Sequence, residues 1–144
     1  PYPTLFPYTT LFRSDLKVFT EIAPLVQTRV QLLQEVPSMV DFLFCDLPTL
    51  DDAAFAKAFA PEWAVTTLIE IRDSFTACDF TPDALKAVVE AVGEKHSLKL
   101  GKLQAPLRVA VTGRSVGPPL FEPIAMLGRE ATLKRIDAAL AKKV

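Results

Sequence analysis

Between Glu21 and Val36, six apolar residues (Ile22, Leu25, Val26, Val30, Leu33 and Val36) recur at intervals of three and four. That spacing lines one side of a helix with 3.6 residues per turn and does not suit a strand, whose faces repeat every second residue. The same rhythm returns downstream. Leu68, Ile71 and Phe75 follow Trp63; Leu85, Val88, Val89 and Val92 follow Thr81; Leu133, Ile136 and Leu140 lie near the end. Only Arg108–Val111 could be read as a strand. With 5 glycines in 144 residues, a sandwich or barrel built on glycine turns is disfavoured, and the pattern predicts an all-α fold with short connections.

Punctuation agrees with this reading. The 12 prolines fall mostly at segment edges, where proline starts or stops helices. Pro37 is expected to end the first helix. Asp51 and Asp52 suit the first turn of a short helix through Phe59, and Pro61 and Glu62 open another. Thr81-Pro82-Asp83 combines a hydroxyl N-cap, proline at the first helical position and an acid facing the dipole. That helix runs out near His96, read as a satisfied structural histidine. Gly113 and Gly128 are candidate C-terminal caps for helices over 103–112 and 120–127, and a last helix begins near Glu130, with Lys142 and Lys143 at its negative end.

The first fourteen residues, PYPTLFPYTTLFRS, differ from the rest: they carry one charge and show neither a helical nor an alternating period. They resemble a translated sequencing adapter, so residues 1–14 are expected to be a non-native or disordered leader, and the chain a fragment. The remainder divides into a partial first helical subdomain over 15–47 and a C-terminal helical subdomain over 48–144.

The chemistry this chain lacks narrows its function. There is no glycine-rich phosphate loop, no GxSxG and no HExxH. One histidine with two distant cysteines, Cys45 and Cys78, makes neither a nucleophilic triad nor a metal site. The thiols are expected to be free and buried, in a reducing compartment. No apolar run approaches the length of a membrane span, so no membrane partner is expected. The chain alone is therefore predicted to be non-catalytic, without metal or cofactor.

Charge is more informative by position than in total. Net charge is −1, but residues 1–94 hold 6 Lys/Arg against 14 Asp/Glu, whereas residues 95–144 hold 10 against 3. A basic third can dock phosphates even on a mildly acidic protein, or it can be a solvated basic face. Arg29 falls inside the first apolar stripe, where a cation is either ion-paired or turned to an anionic or base-edge ligand. Arg114 and the amides of Ser115–Gly117 lie in a turn suited to splayed bases and phosphates, or to a structural corner.

Residues 98–140 carry the most specific pattern: LKLGKL, PLRVAVTG, GPPLFEPI and LGREATLKRI in order. Together they resemble the C-terminal anticodon-binding domain of bacterial glutamyl-tRNA synthetase, a class I aminoacyl-tRNA synthetase. The resemblance is strong after Leu98 and weaker over 15–97, where Arg29 and the LLQE after it look like the helix leading into that region. It implies that Arg108, matching the arginine of the PLR element, faces an anticodon loop. It implies that Pro118 and Leu120 pack against splayed bases, and that Gly117, where the family often has a small hydroxyl residue, offers only backbone. Arg29 would help read an anticodon base and separate glutamate from glutamine tRNAs, while Arg114 and Lys102 are candidate phosphate contacts. The implied partner is glutamate tRNA, in the cytoplasm, with a monomeric parent enzyme and no DNA. The HIGH- and KMSKS-type nucleotide signatures are missing, so ATP and magnesium would belong to a catalytic portion outside this chain. A helical protein-interaction adaptor stays open from the residues alone, as does a DNA-binding helical module, weakened by the lack of a recognition helix.

Overall fold

The computed structural model describes residues 9–143, with side chains from Leu16 onward, and among these every regular element is helical. The α-helices are α1 (Thr9–Gln27), α2 (Val36–Val40), α3 (Asp52–Ala58), α4 (Trp63–Phe75), α5 (Pro82–Lys95), α6 (Leu100–Thr112), α7 (Phe121–Leu127) and α8 (Arg129–Lys143). Tight 3-10 turns at Leu33–Glu35 and Asp41–Phe44 flank α2. Of the leader, residues 1–8 lie outside the described residues, and 9–14 form the first part of α1, a helical stretch that their lack of period did not announce.

The caps fall where their chemistry requires. Asp51 accepts the Ala54 amide at 2.7 Å to start α3, and Thr81 accepts the Ala84 amide at 3.3 Å with Pro82 opening α5. Arg108–Val111 is helix, inside α6. Gly113 ends α6 at φ 81, where its amide bonds Val109 and its carbonyl receives the Asp51 amide at 2.9 Å. A side chain there would meet the Thr49 carbonyl at 2.2 Å, so only glycine permits this close approach. Gly128 ends α7 at φ 83.

The first helix departs from its expected course. Its apolar period runs to Val36, yet α1 stops at Gln27, and Leu32 is extended at φ −123. The Glu35 carboxylate then accepts the amides of Gln31 and Leu32 at 2.9 and 3.2 Å and restarts the chain. Pro37 sits in the first turn of α2, a position where proline opens a helix instead of closing one. Folding back gives Ile22 and Val26 a partner in Val40, with Val36, Met39 and Leu43 packed around them. A straight helix would have left that stripe without a facing element. Leu33, in the expected stripe, is 88% exposed.

The main core belongs to α3–α8. Leu68, Ile71, Phe75, Leu85, Val89, Leu103, Leu107, Ile124 and Ile136 are fully buried, with α4 packed on α5, α6 and α8, and α6 on α3 and α8. Phe55 stacks on Phe59, ring centroids 4.5 Å apart. Arg129 cements α8 to the α4 end, donating to the Phe75 carbonyl at 3.1 Å and lying over the Phe80 ring at 5.6 Å. Cys45 and Cys78 are free, but Cys45 is exposed and Cys78 only partly covered, contrary to the expectation of buried thiols. At Cys45 it is the carbonyl that is drawn inward, as a hydrogen-bond acceptor for Arg135.

Met126 and Arg135 are among the links that join the small α1–α2 cluster to the main core. Met126 of α7 packs into that cluster, and Arg135 of α8, 2% exposed, reaches across. The Arg135 guanidinium donates to Val111 at 2.9 Å, to Phe42 at 2.7 Å and to Cys45, all backbone carbonyls. Burial lowers its pKa, opposed by Cys45 and Asp46, but a guanidinium starts so high that it remains a cation. Arg135→Met keeps the stem and strands those carbonyls. It is expected to cost on the order of 3 kcal/mol in denaturant unfolding, because unmet buried acceptors carry their full desolvation penalty. A loss below about 0.5 kcal/mol, the level of an ordinary surface change, would deny the joint its importance.

Candidate nucleic-acid interface

The chain between α6 and α7, residues 113–120, leaves Gly113 and returns past its own helix. Its shape starts with Thr112, whose hydroxyl donates to the Arg108 carbonyl at 2.8 Å and accepts the Arg114 amide at 3.3 Å. Pro118 and Pro119 remove two amide donors from the return path, so neighbouring carbonyls look elsewhere for partners. Arg108, on α6, donates to the Pro118 carbonyl at 2.7 Å, and Arg29, just past the end of α1, donates to the Gly117 carbonyl at 3.2 Å. Two cations remote in sequence are thus pinned to consecutive residues of one turn. A Cβ at Gly117 would stand 3.4 Å from the Arg108 guanidinium, which makes a small residue there convenient rather than obligatory.

The electrostatics of this pair are unbalanced. Among the described residues, neither Arg29 nor Arg108 has a carboxylate within salt-bridge distance. Burial lowers the Arg108 pKa, and the nearby charge of Arg29 lowers it further. Each guanidinium has spent one carbonyl bond and keeps further donors in a planar fork. Two adjacent cations without a counter-charge form a place where an anion or an acceptor-rich base edge gains the most.

The other candidate residues divide. Gly117 and Pro118 are buried beneath the two arginines, and Leu120 is 4% exposed within the main core, so it supports the turn from below. The turn's accessible tip is Arg114, Ser115 and Val116, the last 77% exposed. Arg114 is tied to Asp41 at 2.7 Å, linking the tip to the small cluster. Lys102, in the first turn of α6, is exposed beside a groove that reaches the turn at Ser115. Asp41, Lys57, Trp63 and Arg135 were not singled out from sequence. Arg135 could have been, because it follows Thr132 by three and precedes Ala139 by four, in the same buried row.

Away from the turn, Glu70, Lys95 and His96 form a structural cluster between α4 and the end of α5. His96 faces Glu70 at 3.0 Å, and the Glu70 carboxyl is held below its ordinary range by Lys95 first and by His96 second. No group of three or more histidine, cysteine or carboxylate side chains stands together as a metal site among the described residues. No helix among them is long and apolar enough to cross a membrane.

A family model described as an anticodon binding domain matches residues 3–140. The chain belongs to the anticodon-binding domain family. Similar proteins include the glutamate–tRNA ligase of Streptomyces griseus, 50% identical over 129 residues, and that of Frankia casuarinae, 50% identical over 125. These alignments cover 89% and 87% of this chain but 25% and 26% of those proteins. The chain therefore spans about a quarter of the length of the curated relatives it matches. Among solved structures, a glutamate tRNA ligase from Elizabethkingia meningosepticum, crystallised with its amino acid, superposes with a TM-score of 0.76 at 25% identity. That match covers 88% of this chain and 25% of the other. A glutamate-tRNA synthetase from Elizabethkingia anophelis shares the fold, with a TM-score of 0.70 at 24% identity over 97% of this chain and 30% of that one.

Within this anticodon-binding domain the two arginine ties should differ in weight. Arg108→Met removes a part-buried donor and is expected to cost about 1–2 kcal/mol, with faster amide exchange over Arg114–Gly117. Arg29→Met, at a more exposed position, should cost less than about 1 kcal/mol. Equal and negligible effects on stability and exchange would show that the guanidiniums do not hold the turn.

Proposed function

We propose that this chain binds the anticodon loop of glutamate tRNA as the anticodon-reading part of a glutamate–tRNA ligase. The observation that carries this reading is the pair Arg29–Arg108, two guanidiniums fixed on one turn with donors to spare and no carboxylate to neutralise them. Membership of the anticodon-binding domain family and the names of the similar proteins support it. They favour RNA binding over a helical protein adaptor.

The chemistry follows from donor and acceptor patterns. An arginine fork offers donors only, and the Watson–Crick edge of cytosine presents adjacent acceptors at O2 and N3, whereas guanine presents donors at N1 and N2. Arg29 accordingly favours C over G at the third anticodon position, the difference between glutamate and glutamine anticodons. Arg108 holds the turn and contributes base-edge or phosphate contacts. Arg114 and Lys102 add phosphate contacts that position without specifying. Pro118, Leu120 and the Gly117 backbone form the support beneath the bases.

Glutamylation with ATP and magnesium belongs, on this proposal, to segments of the parent enzyme outside this chain. That parent works in the cytoplasm as a monomer, without DNA or membrane partners.

Fluorescence anisotropy with a glutamate-tRNA anticodon stem-loop, in C and G forms across a salt series, tests the reading. Binding should weaken as salt rises and favour the C form, and Arg29→Gln should bring the two forms to within about three-fold. Binding that ignores the third base would remove Arg29 from discrimination. No binding by a folded chain would overturn RNA recognition by this chain.

A further inference from the structure

A groove of about 510 Å³ runs between α3, the start of α4 and α6, and opens on the turn at Ser115. Lys102, Ala105 and Val109 line it from α6, Lys57 from α3 and Trp63 from the start of α4, with small residues and a proline between them. Its volume lies in the ~300–1,000 Å³ range of small-ligand sites. Three features of this groove point to one kind of occupant.

The lining holds two cations and no carboxylate, on a protein of net charge −1. Among the described residues, Lys57 and Lys102 have no salt-bridge partner, although Lys86, Lys95 and Lys142 each have one. Trp63 packs against the main core yet stays only partly buried, whereas Phe55, Phe59 and Phe75 are buried within it. An aromatic face beside unpaired ammonium groups suits a flat, anionic molecule, and Ser115 joins the groove to the turn that carries Arg114.

We infer that this groove takes one unstacked nucleotide of the same RNA, beyond the bases met at the arginine pair. The base lies against Trp63, and its phosphates meet Lys57 and Lys102. The inference rests on the RNA-binding reading. It extends the contact surface from the 113–120 turn across α6 to α3 and α4.

Trp63 is the one tryptophan of the chain, so its emission reports on this groove alone. The full chain is titrated with the labelled anticodon stem-loop, following anisotropy of the RNA and tryptophan emission together. Emission should be quenched along the same curve as the anisotropy change. Lys57→Gln with Lys102→Gln should weaken binding about ten-fold and lower the salt slope by about 1.4, the share of two single-strand phosphate contacts. Trp63→Leu should weaken binding about ten-fold, and Trp63→Phe, which keeps a stacking ring, less than about three-fold.

Anisotropy binding with emission and salt slope unmoved would overturn the groove while leaving the arginine turn as an RNA site. No binding would overturn both. A blue shift of Trp63 emission with rising protein concentration, unaltered by RNA, would give the groove to a second copy of the chain and overturn the inference.

Discussion

Arg135 makes contacts that no apolar residue could replace one for one. The Val111 carbonyl lies in the last turn of α6, where helices leave acceptors without a partner, and the Phe42 and Cys45 carbonyls lie in and just beyond a 3-10 turn. A single planar cation from α8 answers all three. It thereby fixes where the segment after α2 meets the main bundle, and hence where α1 ends relative to α6. The position of Arg29 over the 113–120 turn is a consequence of that joint. Along with Met126 and the Arg114–Asp41 pair, it brings together Arg29 and Arg108, which stand 79 positions apart in sequence.

The charge asymmetry of the sequence has a partly structural explanation. Much of the basic third is spent on the acidic remainder: Lys95 on Glu70, Lys142 on Asp52 and Arg114 on Asp41, while Arg129 and Arg135 answer backbone carbonyls. Such exposed pairs contribute little stability each. Their effect here is to offset part of that positive charge, while Arg29, Arg108, Lys57 and Lys102 are among the described cations that no carboxylate pairs. These lie at or beside the same turn. A net charge near zero is therefore compatible with a local site for phosphates.

Much of this arrangement is legible in the residues. The helices from α3 to α8 follow from local signals, since Asp51, Thr81-Pro82, Gly113 and Gly128 act within a few positions of where they stand. The early region is less legible, because its apolar period is equally consistent with one long helix or two folded together. The choice was made by burial of Val40 against Ile22 and Val26, a contact across sequence. Arg29 reads as a cation inside an apolar stripe, yet it escapes the stripe because the helix ends at Gln27. Leu120 reads as a surface contact by motif and lies in the core by packing. The Trp63 groove was invisible for the same reason: it exists only where three helices meet.

Hydrogen–deuterium exchange of the chain, with and without saturating anticodon stem-loop RNA, tests the central claim directly. The account predicts slowed exchange over Thr28–Gln31 and Arg114–Gly117, the two backbone stretches beside the arginine pair, with α5 and the end of α8 unchanged. Protection confined to α5 or to the exposed 3-10 turn at Leu33–Glu35, with the 113–120 turn unaltered, would contradict it.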